Sequence, residues 1–199
     1  MGTQQSISEK DKAIIEKKIE ILYKIRNTSI WNADMKNIAV AVYPGTFDPV
    51  TNGHIDIITR SSKTMGKVIV AVVDENTVKN HLFDLKTRVE LLKESVKHLK
   101  NVEVQVFSGL LVDYLNKINC FTIIRGLRAL SDFEYEFQMA LMNRKLNKKV
   151  ETVFLISDQA YTFLSSSMVK EIAGLGGPIK TLVPPCVYKK LKNLKERLK

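Results

Sequence analysis

Cysteine is scarce in this chain, with only Cys120 and Cys186 among 199 residues. Two cysteines build neither a disulfide framework nor a metal-ligand cluster, which makes a reducing cytoplasm the expected compartment. Glycine and proline number only nine and five, too few for a collagen-like or low-complexity chain. No internal repeat is present. No apolar run approaches the roughly 20 residues that cross a bilayer. The start, Met1-Gly-Thr-Gln-Gln-Ser6, lacks the basic flank and apolar stretch of a secretory signal. Gly2 with Ser6 does fit the short N-myristoylation pattern, but that pattern is too weak to carry an argument. The expectation is no membrane. A G-x-x-x-x-G-K-[ST] run is missing, which removes Walker-type hydrolysis, and so is a G-x-S-x-G elbow, which argues against a serine nucleophile.

Acidic residues are also short, 21 against 31 Lys and Arg, for a net charge of +10. Such a surplus raises the possibility of nucleic acid. Its distribution argues otherwise. Residues 186–199 hold six Lys/Arg against one Glu, while the first 37 residues are nearly balanced at seven against five. No stripe of alternating basic and aromatic residues lies along one face, so a solvated basic tail is expected and no nucleic-acid partner. What is present is ordinary globular material: 45% hydrophobic and 26% charged residues, in a length that suits one domain with a real core.

The chain is organised around Tyr43-Pro-Gly-Thr-Phe-Asp-Pro-Val-Thr-Asn-Gly-His54. A β-branched apolar run, Ile38–Val42, precedes it as a buried strand, and Ile55, Ile57, Ile58 and Met65 follow at helical spacing. Strand, tight turn and helix are expected in that order. Gly45 frees the turn, Pro44 and Pro49 stiffen it, and Thr51 or Asn52 caps the helix. A helix start presents unpaired N–H groups and the positive end of a dipole, so it suits an anion. Thr46 and His54 stand at that spot.

Strands and helices then alternate. Strands are expected at Lys67–Val73, Val102–Phe107, Phe121–Ile124 and Thr152–Ile156, the alternating third being less covered. Helices are expected at Leu85–Leu99 behind Asp84, Leu110–Ile118, Asp132–Leu146, Ser165–Ala173 and after Pro185. Five strands separated by helices make an α/β fold with a doubly wound parallel sheet. Residues 1–36 stand apart as a helical extension, with an amphipathic helix from about Ser8 to Arg26, leaving 37–199 as the main domain.

Such sheets bind ligands beyond the carboxyl ends of their strands. Residues past the strand ends should therefore crowd one rim: Thr46 and His54, Lys79, Ser108–Leu111, Arg125–Arg128 and Tyr161–Ser167. Lys79, Arg125, Arg128 and His54 supply cationic or near-cationic groups for a polyanion such as a nucleoside triphosphate beside a second phosphorylated molecule. Arg125 and Arg128 could equally pair with Asp132 or Glu134 at the surface. Ser165, Ser166 and Ser167 could be helix caps or phosphate ligands, with Lys170 one turn on.

These motifs, in order, resemble phosphopantetheine adenylyltransferases over about four-fifths of the chain. They are Tyr-Pro-Gly-Thr-Phe-Asp-Pro-x-Thr-Asn-Gly-His, Arg-Gly-Leu-Arg-Ala-x-x-Asp-Phe-Glu-Tyr-Glu and Ser-Ser-Ser-x-Val-Lys-Glu. The first and third mark the wider nucleotidylyltransferase superfamily; the middle one marks this member. The resemblance implies transfer of the adenylyl group of ATP to 4′-phosphopantetheine, a Rossmann-like fold, Mg²⁺, and a homohexamer. It implies that Thr46 and His54 meet the phosphates at the reacting centre and that Lys79 and Arg125 hold the attacking phosphate, with Leu111 near the pantetheine arm. Phe47, Gly126, Leu127, Arg128, Glu136, Tyr161, Thr162, Phe163, Leu164, Ser165, Ser166 and Ser167 would line ATP. The loop Asp74–Phe83 is about one residue longer than the usual form and carries one lysine where a pair is common. Residues 1–36 have no counterpart in the family. Other members of the superfamily, acting on nicotinate mononucleotide or glycerol phosphate, are the rival enzymes. A non-catalytic nucleotide- or RNA-binding module is the rival outside enzymes.

Overall fold

A computed structural model describes residues 39–74, 81–128 and 130–197, all within the unit Ala39–Lys199. The expected N-terminal helix and Lys79 lie outside the described residues. Five strands alternate with helices: β1 (Val40–Gly45), α1 (Asn52–Thr64), β2 (Lys67–Val73), α2 (Leu85–Val96), β3 (Val102–Phe107), α3 (Leu111–Lys117), β4 (Thr122–Leu127), α4 (Leu130–Leu146), β5 (Glu151–Ile156), a 3₁₀ turn (Gln159–Tyr161), α5 (Ser166–Gly174) and α6 (Pro185–Arg197). All strand pairs are parallel, in the order β3-β2-β1-β4-β5. This is the expected doubly wound α/β sheet, and its Rossmann-like order reverses between β1 and β4.

The period-2 alternation of side chains puts Ala41, Tyr43, Val68, Val70, Val72 and Ile124 on one face, packed with α1, α2, α5 and α6. Val42, Ile69, Ala71 and Ile123 face the other way, against Tyr114 and Leu115 of α3. β1 and β2 are covered on both sides and read as unbroken apolar runs. β3 is covered less fully, with Glu103 and Val106 exposed and only Phe107 buried, as suits an edge strand. No described helix is long and apolar enough to cross a membrane.

Among the boundaries that differ from the sequence reading, two strand ends bear on the site. β1 continues through Pro44 to Gly45, in register with Ala71 and Val72 of β2. β4 continues through Arg125, Gly126 and Leu127, which pair with Phe154, Leu155 and Ile156. Arg125 thus belongs to a strand rather than to a turn. Between β1 and β4 the register is a single pair, Val42 with Ile123. Pro44 has no N–H with which to extend that ladder, and its carbonyl accepts a hydrogen bond from Arg125 Nη1 at 3.0 Å. The sheet therefore opens where the strand order reverses.

Candidate active site

The opening between β1 and β4 leads into a cavity of about 720 Å³, within the size range of small-molecule sites. Its first wall is the turn from β1 into α1. Phe47 holds φ at +51°, a left-handed conformation that strains a bulky side chain. This turns its ring over Gly45, where a Cβ would come within 3.0 Å of Phe47 Cζ. A side chain at position 45 would press on the Phe47 ring, and the positive φ of the turn falls on Phe47. The ring is flanked edge-on by Tyr43 and His54, with centroids 5.6 and 5.1 Å away. Burial pushes the Tyr43 phenol up to about 12, so it stays neutral.

Thr51, not Asn52, caps α1. Its hydroxyl accepts from His54 N at 3.3 Å, while Thr51 N donates to His54 Nδ1 at 3.0 Å. The imidazole takes the part that Glu or Gln plays in the usual capping box. Because Nδ1 accepts, the ring proton sits on Nε2, leaving a neutral N–H donor on a residue that lines the cavity. Desolvation, then the nearby Arg128 and Arg125 charges, lower its pKa to about 4. His54 is thus not one of the rim cations. Enclosure beside two guanidinium groups keeps it neutral.

Asp48 lies beneath this wall, only 3% exposed. Its carboxylate accepts from Leu82 N at 2.8 Å, Phe83 N at 2.9 Å and Lys170 Nζ at 3.3 Å, with His81 Nδ1 3.7 Å away. One side chain thereby ties the turn, the approach to α2 and a lysine of α5 together.

The second wall is β4 with α4. Arg125 grips Glu136 with both Nε and Nη2, and this pairing raises its pKa against the opposing pull of burial. Arg128 donates to Asp132 from Nε at 2.9 Å and to the Leu164 carbonyl at 3.3 Å. Glu134 takes neither arginine. The expected pairing with Asp132 holds for Arg128, Arg125 pairs instead with Glu136, and both arginines line the cavity. Gly126 lines the cavity, but the direction of its missing Cβ is filled by Ile57 of α1, 3.0 Å away.

The start of α5 closes the third side. Ser165 caps it by accepting from Met168 N at 3.0 Å, and Ser166 donates to the Pro49 carbonyl at 2.8 Å. Residues at two helix starts, those of α1 and α5, thus line the same space.

The cavity brings together Thr46, Phe47, His54, Leu111, Arg125, Gly126, Arg128, Glu136, Leu164, Ser165, Ser166 and Ser167. Leu127, Tyr161, Thr162 and Phe163 are not in its lining. Tyr161 instead packs against the start of α1, where a Cβ on Gly53 would meet its own Cβ at 3.4 Å. The sequence reading left out Asp48, His81, Tyr135 and Met139, which also line the cavity. Asp48 sits inside a quoted motif and could have been singled out. Tyr135 sits inside another of the motifs, while His81 and Met139 carry no local signal.

The profile of the cytidylyltransferase-like family matches residues 42–172. A phosphopantetheine adenylyltransferase from Dictyoglomus turgidum is 64% identical over 151 residues, spanning 76% of this chain and 94% of the relative. The enzyme of that name from Prochlorococcus marinus is 53% identical over 152 residues, spanning 76% and 96%. Among solved structures, a Vibrio parahaemolyticus protein described as a nicotinate-nucleotide adenylyltransferase superposes with a TM-score of 0.57 at 18% identity. It covers 76% of this chain and 97% of its own, a likeness of fold.

Proposed function

The chain belongs to the phosphopantetheine adenylyltransferase family, and from that premise we propose that it transfers the adenylyl group of ATP to 4′-phosphopantetheine, yielding dephospho-coenzyme A and pyrophosphate. The observation that carries this reading is the meeting of two helix starts and two arginines in one cavity at the reversal of strand order. That set suits two phosphorylated molecules placed head to head.

The attacking group is a phosphate monoester, already nucleophilic near neutral pH, so no general base is required. An oxygen of phosphopantetheine forms a bond to the α-phosphorus of ATP, and the bond from that phosphorus to the bridging oxygen of pyrophosphate breaks. Positioning and charge stabilisation account for the rate. His54 donates its Nε2–H to the phosphoryl oxygens as negative charge shifts toward the leaving group, and Thr46 adds a hydroxyl. Arg125, with Lys79, holds the attacking phosphate, and Leu111 borders the pantetheine arm. Phe47, Gly126, Arg128, Glu136 and Leu164–Ser167 line the nucleotide.

Among the described residues no three metal-ligating side chains gather, and the buried carboxylate of Asp48 is already saturated by N–H donors. Mg²⁺ would come with the triphosphate and would supply charge neutralisation there. Both substrates place the reaction in the cytoplasm. Assembly as a homohexamer is supported by the apolar face of α4, where Phe133, Phe137, Leu141 and Met142 are between 44% and 52% exposed.

The test is incubation with ATP, Mg²⁺ and a panel of phosphorylated acceptors. Dephospho-coenzyme A should form with phosphopantetheine. Pyrophosphate release only with nicotinate mononucleotide or glycerol phosphate would reassign the acceptor.

A further inference from the structure

Arg88 belongs to none of the motifs and does not line the cavity, yet it is only 2% exposed. It stands in the first turns of α2, directly behind the first wall. Its Nη1 donates to the Thr46 carbonyl at 2.8 Å and to the Val73 carbonyl at 3.2 Å. Both of those residues line the cavity. Its Nε is buried without a partner, and none of the ion pairs among the described residues includes it.

The described cations that do line the cavity are matched differently. Arg125 is paired with Glu136, Arg128 with Asp132 and Lys170 with Asp48, and His54 is neutral. Each exposed charge on the walls is thus offset by a carboxylate beside it. Among the described residues, Arg88 has only carbonyl oxygens as partners. Burying a guanidinium without a counter-ion is unfavourable in the ligand-free protein, and a charge so enclosed acts over a longer reach than one in water.

We infer that Arg88 is a positioning residue for the polyphosphate: it fixes the Thr46 peptide from behind, and its uncompensated charge is balanced only when phosphates enter the cavity. This rests on the proposed function, since it takes the cavity as a phosphate site. Thr46 presents its hydroxyl from a peptide whose carbonyl is locked, and the field behind the turn favours anions before any wall cation has exchanged its carboxylate for substrate.

Inorganic pyrophosphate, titrated by calorimetry into the full chain, is the probe. Two variants separate charge from packing: R88K keeps the charge and R88Q keeps an N–H donor for the Thr46 carbonyl without it. R88K should bind pyrophosphate within a few-fold of the unaltered protein, and R88Q on the order of tenfold more weakly. R88Q should also lose turnover at saturating ATP, because the shorter amide no longer ties the Thr46 carbonyl to the Val73 carbonyl. Equal pyrophosphate affinity in R88K and R88Q would overturn the inference, as would failure of either to fold by circular dichroism, which would make Arg88 scaffold alone. Failure of the unaltered protein to bind pyrophosphate would strike the proposed function instead.

Discussion

The two walls of the cavity are built on different principles. The β1–α1 wall is held from within, mainly by backbone groups: Asp48 accepts two backbone N–H bonds besides the Lys170 ammonium, His54 accepts from Thr51 N, and the Phe47 ring packs between Tyr43 and His54. The β4–α4 wall is held by side-chain ion pairs, Arg125 with Glu136 and Arg128 with Asp132, whose arginines remain 30% and 38% exposed. Those pairs can trade a carboxylate for a phosphate without unfolding anything. On the proposed function, the first wall would be pre-organised for the transition state and the second adjustable for binding.

The contrast is sharpest at His54. Replacing it with alanine should remove about 2–4 kcal/mol of transition-state stabilisation, with a smaller loss of ATP binding. Pyrophosphate release at saturating substrates reads the first effect and the KM for ATP the second. Unchanged turnover would take His54 out of the mechanism and leave the first wall a scaffold.

Asp48→Ala leaves two backbone N–H groups and the Lys170 ammonium without their acceptor. Stability in urea denaturation should fall by about 2–3 kcal/mol. If it fell by no more than a surface substitution does, the first wall would not be held from within.

A smaller effect is expected across the cavity. Glu136→Gln weakens the grip on Arg125, so substrate KM should change by a factor equivalent to about 1 kcal/mol, while stability and turnover change little. A collapse in stability would show that the second wall is as rigid as the first.

The effect that vanishes at neutral pH is the proton linkage of His54. Its pKa falls from 6.5 to about 4 in the folded protein, so between those values the unfolded chain takes up a proton that the folded chain refuses. Stability contributed by this site is complete above pH 6.5 and is lost as pH falls toward 4. Melting temperatures across that range should decline less steeply in His54→Asn than in the unaltered chain.

The alternation of elements was legible in the sequence because buried parallel strands read as short β-branched runs. Lys67–Val73 coincides with its observed bounds. Strand ends were less legible. Arg125 looked like a turn residue because charge and Gly126 signal a loop, whereas pairing with β5 carries the strand past both. Thr46, His54 and Ser165–Ser167 were readable because helix starts announce themselves locally by caps. The ties of Asp48 to Leu82, Phe83 and Lys170 span 34, 35 and 122 positions, a separation that no local pattern encodes. Arg88 was silent for another reason. In an amphipathic helix rich in Lys and Glu, one more basic residue reads as solvated, and only packing reveals that it is not.

A proline at position 44 thus acts as a stop on a zipper. Because the central seam is fastened at Val42 and Ile123 alone, a substitution that restored an N–H there, such as Pro44→Val, would invite the two halves of the sheet to close by another rung. Such a protein would trade its reaction chamber for a longer ladder, gaining rigidity at the place where the chemistry needs a gap.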